Sequence, residues 1–270
     1  MVTVIDLEPA YEETYLCCLK DWARDPEVMA HRARWCRQMA TKGLRVKLAL
    51  DNAGLATGMI QMVPAEQSQI EGEQLAFVQC IWVHGYEEGI GNRQGQGYGR
   101  ALLIAAEASA RGAGQQGIAA WGMDFPHWLP VSWYEHYGYV RADQDGPAVL
   151  VWKPFTAEAR PPRWIRQRKA PTLIAGKVVV SVFVNGWCPA GPENARIARA
   201  AVSTLGDDVL LREIDTSDRA TFLAWGIDQG IWIDDAPFRP NGPPFDAETL
   251  RHAICEQTTH WRDIENDEQT

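Results

Sequence analysis

The sequence predicts a protein of the α/β (α+β) class with two domains. Its 270 residues exceed one average domain, and short apolar runs typical of strands alternate with longer segments that have a helical apolar period. Residues 156–171 are rich in proline and basic side chains and lack such a period, which is typical of a linker. We therefore expect a first domain over residues 1–155, a linker over 156–171 and a smaller second domain over 172–270.

In the first domain, capping residues and turn residues separate the predicted helices from the predicted strands. The predicted elements are a strand at 2–6, helices at 12–22 and 26–43, a hairpin at 44–63, a strand at 74–83, a helix at 99–112, a strand at 117–125, a helix at 130–138 and a strand at 148–155.

The composition argues against several functional classes. A formal net charge of −9 disfavours a general nucleic-acid binder and favours a cationic or amine-bearing partner. No apolar run approaches the roughly 18 residues of a membrane span, and the acidic N-terminal segment is unlike a signal peptide. The six cysteines are scattered and do not suggest a disulfide framework. We expect a cytoplasmic protein with no membrane or nucleic-acid partner, and an oligomer is compatible with the sequence.

Glycines are concentrated where the strand at 74–83 gives way to the helix at 99–112. Backbone N–H groups are unpaired at a helix start, and a loop without Cβ atoms can wrap closely around a pyrophosphate. The segment lacks the Lys-Ser/Thr of the ATP-binding loop, and Gly95, Gly97 and Gly99 are spaced GxGxG rather than GxGxxG. It does fit the pattern Q/R-x-x-G-x-G/A, beginning at Gln94.

With this motif and this element order, residues 1–155 resemble the GNAT superfamily of acetyl-CoA-dependent acetyltransferases. The segment "SWYEHYGY" is similar to that family's Tyr-x-x-x-Gly-aromatic segment, with Tyr134 and Gly138 in the matching places. The resemblance implies a mixed sheet flanked by helices, acetyl-CoA as co-substrate and transfer of the acetyl group to an amine by direct attack in a ternary complex. Two departures are the insertion at 84–92 and His127, which stands where the family often has asparagine.

The resemblance also implies the residues of the coenzyme site. Backbone groups near the end of the strand at 74–83 would bind the pantetheine and polarise the thioester, and the glycine loop would hold the pyrophosphate. The phenol of Tyr134 would protonate the departing thiolate, although a core aromatic is the alternative for this residue. The implied coenzyme-binding residues are Ile81, Trp82, Val83, Gln94, Gly95, Gln96, Gly97, Tyr98, Gly99, Arg100 and Ala101.

The general base stays open, because the strand at 74–83 contains no carboxylate. His84, Glu87, Glu88 and Asp124 are candidates, and each has a solvated loop residue as its alternative. Water, or an amine that binds already neutral, would also serve. Cys80 is either a thiol in the cleft or a small core residue. The sequence predicts no metal site.

The second domain has the predicted order βαβα-ββα, with Trp187, Cys188 and Pro189 at the first strand–helix junction. This arrangement resembles a thioredoxin-like domain, and the whole chain resembles the YoaP-type two-domain acetyltransferases. A helix start can activate a thiol, so Cys188 is a possible reactive thiol. Gly191 stands where a second cysteine is usual, which excludes dithiol exchange within that motif.

The sequence therefore predicts a GNAT-type N-acetyltransferase acting on an amine of a small molecule or peptide. Two alternatives are a non-catalytic acyl-CoA-binding sensor and a thiol-dependent oxidoreductase that uses Cys188. The acceptor is not identifiable from the sequence, because variable helices and loops build acceptor sites in this fold.

Overall fold

The computed structural model describes residues 2–125, 129–238 and 245–267. The chain forms two compact units, Met1–Ile165 and Arg166–Thr270. Each unit has its own buried apolar core, built around its own sheet.

The first unit contains nine strands and four α-helices within the described residues. The strands are β1 (Thr3–Asp6), β2 (Arg45–Leu50), β3 (Ala56–Pro64), β4 (Ile70–Glu71), β5 (Leu75–Val83), β6 (Gly117–Met123), β7 (Val140–Asp145), β8 (Ala148–Pro154) and β9 (Arg163–Trp164). The helices are α1 (Glu12–Leu16), α2 (Pro26–Ala40), α3 (Tyr98–Gly112) and α4 (Val131–His136).

Seven of these strands form one mixed sheet in the order β1-β2-β3-β5-β6-β8-β7. Every neighbouring pair is antiparallel except β5 and β6, which run parallel. A parallel pair needs a long crossover, and α3 lies within the connection between these two strands. The parallel pair stands at the centre of the sheet. Along the chain, β5 precedes the glycine loop and α3, and β6 follows them.

Helices cover both faces of this sheet. Leu102 and Leu103 of α3 pack with Ile60 and Val78 of the sheet on one face. On the other face, Tyr15 of α1 packs in a cluster with side chains of β2 and β3, and side chains of α2 lie against that cluster. The mixed sheet flanked by helices that the sequence predicts is confirmed.

The first helix is shorter than the sequence indicates. A helix was expected over residues 12–22, but α1 ends at Leu16, and Cys18 and Leu19 adopt φ values of 52° and 55°. Left-handed backbone at two consecutive residues cannot continue a right-handed helix. Both side chains are buried, although cysteine and leucine do not favour a left-handed backbone.

One strand of the sheet has no counterpart among the predicted elements. Strand β7, with the sequence VRADQD, pairs with β8 at the edge of the sheet and is largely exposed. A short, polar edge strand lacks the apolar alternation on which strand prediction depends.

Part of the segment expected to be a linker belongs to the first unit. Arg163 and Trp164 form β9, which pairs antiparallel with β4. The Trp164 ring meets Phe77 edge to face, with ring centroids 6.1 Å apart. The carboxylate of Asp143 accepts a hydrogen bond from the Trp164 backbone N–H at 2.8 Å.

The second unit has a four-stranded sheet in the order β11-β10-β12-β13. The central strand β10 is buried at all seven positions and pairs parallel with β11 and antiparallel with β12. This unit follows the βαβα-ββα order that the sequence predicts. Its elements are β10 (Val178–Val184), α5 (Ala190–Val202), β11 (Val209–Asp215), α6 (Arg219–Trp225), β12 (Gly230–Ile233), β13 (Ala236–Pro237) and α7 (Ala247–Asp267).

None of the helices in the described residues has both the length and the apolar character that crossing a membrane requires. Among the same residues, no group of three or more His, Cys, Asp or Glu side chains is placed to hold a metal ion. Each of the six cysteines is a free thiol.

Candidate active site

A gap opens in the middle of the sheet between β5 and β6. The two strands pair only through Leu75–Gly117, Ala76–Ile118 and Phe77–Ala119, although β5 continues to Val83. Beyond Phe77 the edge of β5 that faces β6 therefore carries backbone N–H and C=O groups that are not used in a ladder. An extended ligand can pair with such an edge as a further strand would.

A bulge in β5 lies at the point where the gap opens. On the β3 side, Gln61 pairs with Cys80 and Met62 pairs with Val78, so Gln79 is the extra residue. A bulge bends its strand and increases the local twist, which turns the end of β5 away from β6. The indole N–H of Trp121, on β6, donates to the Gln79 carbonyl oxygen at 2.9 Å. Because 42 residues separate the two partners, no motif or apolar period in the sequence indicates this contact.

The glycine loop leads directly into α3. Gly95 and Gly97 have φ values of +73° and +87°, a region that only glycine adopts without strain, and Gly97 is the N-cap of the helix. Within the described residues, a Cβ built on either glycine would have no heavy atom within 4 Å. Internal packing therefore does not exclude a side chain there, and the loop is open to solvent beside the first-turn N–H groups of α3.

Side-chain hydrogen bonds join this loop to the end of β5. The Gln94 amide donates to the Val83 carbonyl oxygen at 3.3 Å. The side-chain oxygen of Asn92 accepts from the Gln94 backbone N–H at 3.0 Å. The backbone carbonyl of Asn92 accepts from the side-chain amide of Gln96 at 3.2 Å. The predicted pyrophosphate loop and the predicted pantetheine strand are thus in direct contact.

The third glycine of the loop has a different role. A Cβ on Gly99 would lie 3.2 Å from the ring of Trp133 on α4 and 3.8 Å from a methyl group of Val83. The start of α3, the end of β5 and α4 therefore meet at Gly99, where a Cβ would crowd the Trp133 ring but would meet Val83 at an ordinary contact distance.

Tyr134 lies on α4, next to this meeting point. Its side chain is 1% exposed, and its ring packs between Trp133 and Tyr139 with centroid distances of 4.9 and 5.5 Å. Burial raises the pKa of the phenol well above its ordinary value, and the charge of a neighbouring Cys80 thiolate would raise that pKa further. The phenol therefore keeps its proton to a higher pH than an ordinary tyrosine does.

The candidate bases are placed differently from one another. His84 is buried, and its Nδ1 lies 3.0 Å from the carbonyl oxygen of Gly91, which closes the insertion. Glu87 and Glu88 are exposed within the insertion. Asp124 is half-exposed and forms an ion pair with Arg141 at 3.1 Å. His127 lies outside the described residues.

A buried polar cluster underlies the sheet on the α1–α2 face. The Arg32 guanidinium, fully buried, donates to the Cys18 sulfur at 2.7 Å and to the Gln61 side-chain oxygen at 3.4 Å. Tyr15 donates to the same Gln61 oxygen at 2.9 Å. Burial raises the pKa of Tyr15 well above its ordinary value, although Arg32 acts in the opposite direction. The Gln61 amide continues the chain to the Gln79 side chain at 3.5 Å.

In the second unit, Cys188 is half-buried immediately before the Pro189 N-cap of α5. Side-chain hydrogen bonds fix the surrounding loop. Asn185 donates to Asp228 at 2.9 Å and accepts from the Trp187 backbone N–H at 3.0 Å, and the Trp187 indole donates to Asp228 at 2.6 Å. The predicted thiol therefore stands at a helix start, beside a loop that side-chain hydrogen bonds hold together.

Comparisons with known proteins give fold similarity for somewhat more than half of the chain. No protein-family model and no curated protein matches the sequence. A GNAT-family acetyltransferase from Staphylococcus aureus is 13% identical with a TM-score of 0.42, and the match covers 58% of this chain and 100% of that one. A GNAT-family N-acetyltransferase from Escherichia coli in complex with CoA is 14% identical with a TM-score of 0.42, and the match covers 60% of this chain and 89% of that one. A GNAT-family acetyltransferase from Brucella melitensis in complex with acetyl-CoA is 16% identical with a TM-score of 0.39, and the match covers 59% of this chain and 92% of that one. The activity of this chain has to be inferred from its own residues.

Proposed function

We propose that the chain is an acetyl-CoA-dependent N-acetyltransferase that acts on the amine of a small molecule or peptide in a ternary complex. The observation that carries this proposal is the gap between β5 and β6, which opens beside the glycine loop at the start of α3. The gap offers backbone groups to an extended, amide-containing chain, and the loop offers N–H groups to an anion. Acetyl-CoA has both parts in one molecule.

In the proposed complex, the pyrophosphate lies on Gln94–Ala101 and the pantetheine lies along Ile81–Val83. The positive φ values at Gly95 and Gly97 support this arrangement, because they expose the loop backbone without any side chain above it. A backbone N–H of β5 near the bulge would polarise the thioester carbonyl. Holding amine and thioester together supplies most of the remaining rate enhancement.

The acetyl transfer needs a proton for the leaving thiolate. Tyr134 is our candidate donor, because it lies on α4, which meets β5 and α3 at Gly99. The amine nitrogen forms a bond to the acetyl carbon, the carbon–sulfur bond breaks and the sulfur takes the phenolic proton. The proton that the amine gives up then restores the phenol through solvent.

Among the candidate bases, His84 has a hydrogen bond that indicates which of its ring nitrogens carries the proton. A carbonyl oxygen only accepts, so Nδ1 of His84 donates to Gly91 and the neutral ring carries its lone pair on Nε2. This tautomer supports His84 as the base, with water or an already neutral amine as the other possibilities. Asp124 is less suitable, because it is engaged with Arg141.

For the second unit we propose a thioredoxin-like domain that lacks dithiol chemistry. Its element order and the position of Cys188 before α5 support this assignment. Gly191 provides no resolving thiol, so Cys188 could form only a mixed disulfide or an adduct.

Free-thiol release from acetyl-CoA with a panel of primary amines tests the proposed function. We expect release that depends on an added amine, together with an acetylated product detected by mass spectrometry. Tight acetyl-CoA binding without release for any amine would instead favour a sensor. Reduction of a disulfide substrate that is lost in Cys188→Ser would favour an oxidoreductase.

A further inference from the structure

A lysine of the first unit rests on one ring of an aromatic pair at the end of β5. The Lys20 ammonium nitrogen lies 4.3 Å from the centre of the Trp82 ring. The Tyr86 ring lies 5.7 Å from the Trp82 ring at an interplanar angle of 45°. An aromatic face at this distance attracts a cation through its quadrupole. The Trp82 ring thus already holds one alkylammonium group, and the Tyr86 ring lies beside it.

This aromatic pair lies on the face of the sheet opposite α3. The Trp82 side chain packs with the cluster that contains Tyr15 and Met59, whereas Ile81 packs with α3. If the coenzyme pyrophosphate lies at the start of α3, the α3 face of the gap is taken by the coenzyme. An acceptor would then approach the thioester from the face that carries Trp82.

The insertion at 84–92 fixes one half of the pair and adds negative charge near it. The bond between His84 and the Gly91 carbonyl closes the insertion, and Arg93 forms an ion pair with Asp51 at 3.5 Å just after it. The Tyr86 ring is 49% exposed and meets the His84 ring edge to face. Glu87 and Glu88 follow directly and are exposed, so the rim beside Tyr86 carries two carboxylates.

We propose that Trp82 and Tyr86 form a subsite for a second cationic group of the acceptor, and that the Lys20 ammonium occupies this subsite when no acceptor is bound. The acceptor class is then a primary amine with a further ammonium group in the same molecule. The attacked nitrogen loses one proton and gains the acetyl group, whereas the second nitrogen stays protonated against the rings. This inference rests on the proposed function for its reaction but not for its binding step.

Two probes of equal size isolate the second charge. 1,5-Diaminopentane and n-hexylamine have the same number of heavy atoms and differ by an ammonium in place of a methyl group. Calorimetric titration of the full chain with CoA bound should give an affinity for the diamine that is about three- to thirtyfold higher. Trp82→Leu should remove this preference, and Lys20→Met should raise the affinity for the diamine because it removes the internal competitor.

The chain offers a matched control in its second unit. The Lys169 ammonium lies 4.0 Å from the centre of the Trp225 ring, so Lys169→Met removes the same kind of contact elsewhere. This variant should bind both probes as the wild type does.

Equal affinity for the two probes, absence of binding by either, a preference that survives Trp82→Leu or a weaker diamine complex in Lys20→Met would each overturn the inference. Acetyl-CoA titrated into the same preparation reports on the proposed function separately. Repeating the amine titrations without coenzyme keeps the subsite measurable even if acetyl-CoA does not bind.

Discussion

The Trp121 indole N–H donates to the Gln79 carbonyl oxygen across the point where β5 and β6 cease to pair. A side chain thus satisfies one backbone acceptor of the bulge, and the groups further along β5 stay outside the ladder. Gln79 is 2% exposed, so water has little access to this carbonyl in the folded chain. The contact therefore helps to define where the gap begins.

Trp121→Phe should lower the free energy of unfolding by about 1–3 kcal/mol beyond the change in packing, because it leaves a buried acceptor without a donor. Urea denaturation measures the difference. Trp164→Phe is the matched control, since the Trp164 indole N–H is buried without an acceptor among the described residues. Equal destabilisation by the two substitutions would show that the hydrogen bond to Gln79 contributes nothing measurable.

Gly97→Val should abolish acetyl-CoA binding while the protein stays folded. The φ of +87° is strained for valine, and its side chain would project where the pyrophosphate is proposed to lie. Gly146→Val is the control, because Gly146 also has positive φ and open surroundings but lies in the β7–β8 turn. Calorimetry with acetyl-CoA compares the two variants. Unchanged affinity in Gly97→Val would remove the loop from the coenzyme site.

Tyr134→Phe should reduce turnover on the order of a hundredfold with little effect on acetyl-CoA affinity, because a proton donor acts only on the leaving thiolate. Tyr139→Phe is matched to it, since both rings are almost fully buried and in contact. Tyr139→Phe should keep its turnover. Similar losses in both variants would instead assign Tyr134 to the core.

The raised pKa of Tyr134 also has a predictable effect on stability. The folded-state pKa lies above the unfolded value near 10, so the contribution to stability is complete below about pH 10. Above that pH the unfolded phenol ionises first, and the free energy of unfolding falls by about 1.4 kcal/mol per pH unit for each such group. Urea denaturation from pH 8 to 11 should show this fall, and Tyr134→Phe should make it shallower.

The parts of the fold that the sequence predicts are those with a local physical cause. Glycines at positive φ leave a direct trace in the sequence, so the loop at Gly95 and Gly97 could be located before its geometry was known. Strand β10 was similarly evident, because a strand buried on both faces is a continuous apolar run. By contrast, the left-handed turn at Cys18 and Leu19 depends on tertiary burial and has no signal in residue type.

In the candidate site too, features with a local cause could be predicted, whereas those that depend on tertiary contacts could not. Contacts between distant residues are invisible to motif and periodicity, as with Lys20 on Trp82. The exposed edge strand β7 was missed because its polar residues, such as Arg141 and Asp143, do not alternate with apolar ones. Trp164 illustrates a further limit, since its apolar side chain could be expected to lie against a domain, but nothing in its proline-rich and basic surroundings indicated packing against Phe77.

That packing leads to a prediction on where the first unit can be cut. A chain that ends after Ile165 should bind acetyl-CoA as the whole chain does, whereas one that ends after Phe155 loses β9 and uncovers Phe77. The shorter version should have the lower melting temperature, because an apolar surface and the bond from Trp164 to Asp143 are lost. Thermal unfolding and calorimetry compare the pair. Equal melting temperatures would mean that β9 adds no stability.

Gly191 in the second unit has almost no space for a side chain. A Cβ at this position would lie 2.5 Å from the backbone oxygen of Asn185 and 3.2 Å from its nitrogen. Asn185 cannot easily move away, because its side chain is bonded to Asp228, to Trp187 and to the Thr216 carbonyl. The absence of a second cysteine near Cys188 therefore has a steric reason in this loop as well as a chemical consequence.

We expect Gly191→Ala to lower the free energy of unfolding by about 1–3 kcal/mol, because the loop must shift to admit one methyl group. Gly206→Ala provides the control in the same unit, since a Cβ on Gly206 meets no heavy atom of the described residues within 4 Å. Gly191→Cys should be destabilised in the same way, and thiol titration should still find Cys188 reduced. A stable variant that forms a disulfide between residues 188 and 191 would refute the steric argument and would make dithiol chemistry accessible to this domain by a single substitution.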